Sequence, residues 1–553
     1  MAAPGRQLQD LPPELLLLIL GYIRRPSALK SLCLTSKCLR SLAIPLLYNK
    51  ITLDASNSIS TANTAFLNAS NGHAFVKDLS FEPLVAAIKD QASALHFVKR
   101  AIRVVPLNGL KCLSLPSDLV ADGILMMQIA TSQKNLVELD WPIVGSHLTD
   151  TMSSPLPQPW VASLRSIILA EAIGSVKDLV GYNKVLREVK QLSSLRIGSN
   201  RLADERTSST GSTLHPDLFA KTLFRHIAPF GSEGPLKIAT VNFTGTDLGN
   251  FEQIYLRVID WRVVRNLGLW SCRGMHAFLD GLASQCEEIP GSLRSVECTT
   301  HETTSPHQLD RFLRQCVGAI EFILSYPADS ADAVPVPAAA IMTPIVATLE
   351  HLTLEIFVQS PFSPRISDLV TLSADYVQAL VDSGKQLREV ALSFPQCSVT
   401  SDMWERENPW RRQMEALATL PRLLAIRVLN WPAAPDRIFE KGTMTTDNRV
   451  EHELMWHRYS ALLDTFATRA LRCVHIVRQS LGLRPLRVLC IGSRSAFVEV
   501  PFEDGRRGFP GEIRSYVPAW QSSLGGEDAL FAREVSGSDV CYDDQHYQAV
   551  MYV

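Results

Sequence analysis

A short apolar pattern returns along most of this chain at a nearly regular interval, and that regularity limits the fold more than any other feature. The pattern is apolar-x-x-apolar-x-apolar. With the middle residue as anchor, copies fall at Leu79, Leu113, Leu139, Ile167, Leu195, Val241, Leu267, Val296, Ile320, Leu352, Val390, Ile426 and Leu489. Successive anchors lie mostly 24 to 38 residues apart, with two longer steps of 46 and 63. In a chain that is 46% hydrophobic, one copy arises by chance in roughly one window in ten, so the interval carries the argument. Between anchors stand runs that are apolar at three- and four-residue spacing: Leu84 to Val104, Leu309 to Cys316, Leu369 to Val381 and Tyr459 to Leu481. A strand followed by a helix, repeated, gives parallel strands, because each return to the same sheet needs a crossover. No single unit of this size buries its own apolar face, whereas stacked units share a continuous core. Some thirteen strands at about 4.8 Å each make a sheet roughly 60 Å long. At 553 residues the chain is too long for one compact core, which agrees with an array.

The clearest copy, Leu192-x-x-Leu195-x-Ile197-x-x-Asn200-x-Leu202, resembles the leucine-rich-repeat template at every position, and Ile238-x-x-Val241-x-Phe243-x-x-Thr246-x-Leu248 is close to it. The long steps mark insertions, Arg201 to Pro216 and Pro432 to His457, expected as loops or disorder. A Ser/Asn/Thr-rich stretch at 55–73 reads as a linker. After Leu489 the pattern changes: Phe497 to Val500, Ile513 to Trp520 and Cys541 to Val553 read as short strands of a terminal cap. Tyr542, Tyr547 and Tyr552 either belong to that cap or line a recognition pocket.

The first fifty residues follow a different rule. From Leu8 the chain reads LQDLPPELLLLILGYIRRPSALKSLCLTSKCLRSLAIPLLY. Asp10 is placed to cap a helix whose first turn holds Pro12 or Pro13, with Glu14 at the positive end of its dipole. Leu15, Leu18, Ile19 and Tyr22 recur at helical spacing, while Leu11, Leu16, Leu17 and Leu20 widen the stripe nearly all round, so the helix needs cover on more than one side. Gly21 and Pro26 end it, and Leu29, Leu32, Leu34, Leu39 and Leu42 begin a second periodic run. Some forty residues cannot bury so many leucines, and at about 1.5–3 kcal/mol per large apolar side chain the surplus calls for a partner surface.

The order Leu11-Pro12-x-Glu14-Leu15, Ile19-Leu20-x-Tyr22, Leu29-x-x-Leu32-x-Leu34-Thr35-Ser36-Lys37 resembles the F-box in its fungal form, as does the tail Arg40-x-Leu42-Ala43-x-Pro45-x-Leu47-Tyr48. The resemblance implies a three-helix unit that docks on a Skp-type adaptor and, through it, on the cullin of a ubiquitin ligase. It implies Leu11, Pro12, Leu15, Ile19, Leu20, Leu29, Leu32 and Leu34 as adaptor-facing residues. The expected fold class is α/β: a small all-α F-box of three short helices at 1–54, the linker, an irregular leucine-rich-repeat solenoid at 74–495 with a curved parallel sheet and outer helices, and a cap of short strands at 496–553. The expected function is substrate recognition for an SCF-type ligase, with an unknown target protein on the solenoid. The alternative is a non-catalytic scaffold whose N-terminal helices only cap the repeats. Trp141, Trp270 and Trp431 fall at or just after repeat strands, where an aromatic side chain either anchors a bound target or packs the core.

Chemistry of the chain's own is not expected. His452 and His457 are five residues apart, which sets them some 140° apart on a helix and off a zincin face. Gly505, Gly508 and Gly511 enclose Pro510 and form no dinucleotide loop. No Gly-x-Ser-x-Gly elbow and no Gly-Lys-Ser/Thr phosphate loop occurs, so no catalytic residue, metal site or cofactor is expected. A net charge of −2 offers no positive field for nucleic acid or an anionic membrane, and the apolar runs are too short to span a bilayer. Eleven cysteines without a CxxC pair suit a reducing compartment, the cytoplasm or the nucleus.

Overall fold

The computed structural model describes residues 11–23, 26–56, 60–68, 72–82, 91–116, 119, 123–141, 163–169, 176–198, 221–227, 230–246, 248–249, 252–286, 293–300, 302, 306–328, 336–360, 363–401, 405, 408–433, 449–492, 497–502, 505–510, 513–522 and 528–535. Two compact units make up the chain, Met1–Gly281 and Leu282–Val553.

The first unit opens with three helices, α1 (Pro13–Gly21), α2 (Pro26–Thr35) and α3 (Lys37–Asn49), and α3 runs directly into β1 (Lys50–Leu53). There follow α4 (Thr61–Asn68), β2 (Asp78–Phe81), α5 (Gln91–Val104), β3 (Cys112–Ser114), α6 (Gly123–Ser132), β4 (Glu138–Trp141), β5 (Ser166–Leu169), α7 (Val176–Glu188), β6 (Ser194–Ile197), β7 (Thr240–Thr244), α8 (Glu252–Val258) and β8 (Asn266–Trp270). Helix α9 (Met275–Cys286) runs across the unit boundary. The second unit holds β9 (Ser295–Thr299), α10 (Pro306–Gln315), β10 (Glu321–Ala328), α11 (Ala339–Val346), β11 (His351–Ser360), β12 (Ser363–Leu369), α12 (Ala374–Ser383), β13 (Glu389–Leu392), α13 (Pro409–Ala418), β14 (Ala425–Val428), α14 (Arg449–Ser480) and β15 (Val488–Ile491). Four further strands follow, β16 (Phe497–Phe502), β17 (Gly505–Pro510), β18 (Arg514–Ser522) and β19 (Asp528–Val535).

Strands β1 to β8 pair in sequence order, all parallel. The anchors read from the sequence form one row across them: Leu79, Leu113, Leu139, Ile167, Leu195, Val241 and Leu267 are register partners, each from one strand to the next. In the second unit β9, β10, β11, β13, β14 and β15 pair in parallel, and Val296, Phe322, Leu352, Val390, Ile426 and Leu489 form the corresponding row. Every residue in both rows is at most 2% exposed. Helices cover this face: α5 turns Ala94, Phe97, Val98, Ala101 and Ile102 inward, and the Phe97 ring meets that of Phe81 edge-on at 6.3 Å.

The backbone repeats as strictly as the side chains. One carbonyl just before each strand accepts two consecutive N–H groups from the next repeat, using both lone pairs. Lys111 and Cys112 donate to Lys77, Val137 and Glu138 to Lys111, and Arg165 and Ser166 to Val137, all at 2.7–3.2 Å. The second unit does the same, with Ile320 and Glu321 donating to Arg294 and Glu350 and His351 to Ile320. Ile320 thus supplies the carbonyl before its strand, and the core position is Phe322. The pattern fits twice here, as Val317-x-x-Ile320-x-Phe322 and as Ala319-x-x-Phe322-x-Leu324. A slip of two residues keeps the same face, so the periodicity alone does not separate them.

Several expectations change. The polar stretch at 55–73 contains α4, with Phe66 and Asn63 buried and the Asn63 amide donating to the Asp54 carbonyl at 2.7 Å. Strand β1, which fuses the three-helix unit to the sheet, was missed, although Tyr48-x-x-Ile51-x-Leu53 carries the repeat pattern and Ile51 is the register partner of Leu79. In the second insertion 434–448 lie outside the described residues, but residues from Arg449 on belong to the 32-residue α14. Buried Arg478 ties the end of α14 to α13, donating to the Ala418 and Leu420 carbonyls at 3.1 and 2.9 Å and so pairing groups that a helix C-terminus leaves open. The strands expected at Phe497 and Ile513 are β16 and β18. Two were missed: β17, which pairs with β16, and β19, which pairs with β18. Residues 199–220, with Asn200, Leu202 and the first insertion, and 536–553, with Tyr542, Tyr547 and Tyr552, lie outside the described residues.

The two units differ in the sheet face opposite the helices. In β2, β5, β6 and β7 buried and half-exposed residues alternate, so that face is partly open. In β13, β14 and β15 every residue is buried. Several polar side chains enclosed in the second unit are paired, which offsets the cost of their burial: Ser325 Oγ donates to Glu355 at 3.1 Å, Arg427 Nε to the Gly492 carbonyl at 3.1 Å, and His351 Nδ1 lies 3.1 Å from a Glu389 carboxylate oxygen.

Candidate docking surface on the N-terminal helices

Helix α1 begins at Pro13 with Pro12 in the N-cap position, so the cap falls two residues later than Asp10. The Pro12 carbonyl takes the first two N–H groups, from Leu15 and Leu16 at 3.0 and 3.1 Å, and Pro13 sits where a missing N–H costs nothing. At the other end Tyr22 and Ile23 donate to Ile19 and Leu20. Helix α3 starts with Ser36, whose hydroxyl accepts from the Leu39 N–H at 3.1 Å. It holds Pro45 in its interior, which removes one backbone donor.

The three helices close a small core of Leu20, Leu29 and Ala43, with Ile23, Leu32, Cys33, Leu42, Leu46 and Leu47 packed around it. That core uses one side of α1 only. Leu16 and Leu20, one turn apart, are each 1% exposed. On the other side Leu15, Leu18 and Tyr22, at i, i+3 and i+7, are 46%, 63% and 84% exposed, with Leu11 and Ile19 beside them at 36% and 39%, while Leu17, further round the helix, is 42% exposed. Leu34 at the end of α2 is 82% exposed. Seven large apolar side chains within 24 residues are thus left in water, which is the composition of an interface core rather than of ordinary surface.

The adaptor-facing residues implied by the sequence fall into two groups. Leu11, Pro12, Leu15, Ile19 and Leu34 are exposed, and Leu32 is partly so. Leu20 and Leu29, 1% and 4% exposed, are corrected to core residues of the unit: they hold the helices together and offer no side chain to a partner. Leu18 and Tyr22 join the open face. Their spacing from Leu15 and Leu11 was visible in the sequence, but an all-round apolar helix does not say which side its own chain covers.

Of the three tryptophans, Trp431 is corrected to core. It is 1% exposed and stacks edge-on against Trp456 at 5.5 Å and Tyr459 at 6.4 Å. Trp270 is half-exposed on β8, with the Arg196 guanidinium 4.2 Å from its ring centroid. Trp141 ends β4, and its side chain lies outside the described residues. Among the described residues, no group of three or more His, Cys, Asp or Glu is placed to hold a metal ion, and nine cysteines are free. No described helix is long and apolar enough to cross a membrane.

The family model described as F-box-like matches residues 8–54. No curated protein matches the chain. Among solved structures the chain is similar to one from the crystal structure of the Rad7 and Elc1 complex in yeast, at 14% identity and a TM-score of 0.36 over 80% of this chain and 94% of that one. The family-model match at residues 8–54 agrees with the three helices and their open leucine face, so the N-terminal segment is an F-box-like domain set ahead of solenoid-like parallel-strand repeats.

Proposed function

We propose that this chain is the substrate-recognition subunit of a cullin-type SCF ubiquitin ligase, holding a Skp-type adaptor on its F-box-like helices and a target protein on its repeats. The observation that carries the reading is the open face of Leu11, Leu15, Leu18, Ile19, Tyr22 and Leu34 on helices whose other side is already packed. At about 1.5–3 kcal/mol for a side chain of this size taken from full exposure to burial, a partner that covers six of them gains several kcal/mol. The chain itself then needs no reactive group. It raises the effective concentration of target lysines near a conjugating enzyme brought by other subunits. Free cysteines fit a reducing compartment, the cytoplasm or the nucleus.

The test is co-purification with a Skp-type adaptor, comparing wild type with Leu15→Asp plus Leu34→Asp. Both side chains face water, so the double variant folds and loses the adaptor. Wild type without adaptor, or a variant that retains it, overturns the reading.

A second reading, a scaffold in which the helices merely cap the repeats, is favoured by one observation: α3 continues into β1, and β1 pairs with β2. Removal of 1–49, which takes away all three helices and leaves β1, separates the two. Under the first reading adaptor capture is lost while the repeats keep their melting behaviour, and under the second the repeats lose melting stability.

A further inference from the structure

We infer that the half-open sheet face of the first unit is the target-docking surface, and that it takes an extended protein segment carrying a Lys or Arg whose cation sits at Glu138. The inference rests on the target-receptor reading above and gives it a place and a chemistry.

The place follows from exposure. Side chains opposite the helices are half-exposed on β2 and β5 to β7, and again on β9, whereas on β13 to β15 they are buried, so an incoming chain finds the longest open stretch of this face in the first unit.

The chemistry follows from three carboxylates and the cations that answer them. Asp78 and Glu138 share one row, joined in register through Cys112, and Asp140 lies two residues beyond Glu138 on the same face. Lys50 approaches Asp78 at 3.5 Å, and the Ser114 hydroxyl donates to Asp140 at 2.7 Å. Glu138 is exposed, and the charges of Lys50 and Arg196 reach it only weakly beside the effects that raise it. Partial burial, and after it the charges of Asp78 and Asp140, hold its acid above the usual carboxylate range, and burial does the same for Asp140. A cation at Glu138 relieves that repulsion. A bare metal ion does not suit the spacing. Strand geometry sets Asp78 and Glu138 roughly 10 Å apart and Glu138 and Asp140 roughly 7 Å apart, while a divalent ion gathers its oxygens within about 2.6 Å. A side-chain cation on a segment lying across the strands suits it.

A separate feature fixes the other end. Trp270 stands half-exposed on β8 with Arg196 stacked on its ring. Gly268 beside it leaves room that a Cβ would fill, since that atom would run into the Asn242 amide and the Trp270 indole. Four strand spacings, roughly 19 Å, separate β4 from β8, the reach of about six extended residues. An aromatic platform at that distance gives a bound segment a second anchor and a direction.

The experiment pans a phage-displayed library of random twelve-residue peptides on the full chain. The expected pool is enriched in Lys and Arg, and its leading peptide binds about tenfold more weakly to Glu138→Lys and to Trp270→Ala, with a smaller loss for Glu138→Gln. Adaptor capture, measured on the same variants, stays intact, so loss of this site and loss of the ligase reading give different results. An empty pool, a pool without basic enrichment, or a leading peptide indifferent to Glu138→Lys overturns the inference.

Discussion

Leu20 and Leu34 are the same residue within one small helical unit, yet they are 1% and 82% exposed. Truncation therefore costs differently. Leu20→Ala removes the middle of a core with few other members, at about 2–4 kcal/mol, whereas Leu34→Ala stays within about 0.5 kcal/mol. Thermal melts of the two variants check the contrast, and equal losses would refute the assignment of faces. Gly492 supplies a second residue-level prediction. Its φ is +106°, where an L side chain is strained, and a Cβ there would overlap the Trp431 indole, so Gly492→Ala is expected to cost more than about 2 kcal/mol and to lower the melting temperature of the second unit. What was legible at this scale was chemical type. The apolar residues of α1 and the tryptophans stand out in the sequence, but the inward place of Leu20 and the choice between core and target contact at Trp431 do not follow from it, because periodicity on an all-apolar helix, or a position just after a strand, does not say what lies across from it.

At the scale of the element, the strand rows were readable because burial on one face imposes period two and the repeat imposes the interval. Twelve of the thirteen anchors are register partners, and the exception, Ile320, slipped by two residues without changing face. Elements that obey no repeat, such as β12 and the four-strand end, left only weak signals. One polar row has a pH consequence. Burial alone would lower the pKa of His351, but the hydrogen bond and charge of Glu389, with Glu321 and Glu350 nearby, hold it above the usual histidine value. The folded chain then binds that proton more tightly than the unfolded one. Its contribution is complete below about pH 6.5, the unfolded value, and is lost as pH rises through the folded value. Melting temperature of the full chain should fall across that window, and His351→Gln should flatten the fall; an unchanged slope contradicts the pairing. The strand β19 gives another test. Its backbone is engaged by α14, with Arg472 Nε donating to the Leu530 carbonyl at 2.8 Å and the Ala532 N–H donating to Thr468 at 3.0 Å. Thr468→Val plus Arg472→Met frees that backbone, and light scattering should then show self-association at concentrations where wild type is monodisperse.

For the molecule as a whole, the division into F-box-like helices and parallel-strand repeats was legible because each has its own spacing. Which sheet face is open was not, since β13 to β15 and β5 to β7 carry similar short apolar triplets and differ only in what covers them. The first unit carries two surfaces: an apolar one on α1 and α2, proposed here for an adaptor, and a polar one on the sheet, proposed for a target. The first supports everything else. Calorimetric titration of the purified full chain with a purified Skp-type adaptor tests it directly. The expected result is saturable binding with a negative heat-capacity change, abolished by Leu15→Asp plus Leu34→Asp. Absence of heat with wild type across temperatures, or equal binding by the double variant, would contradict the account.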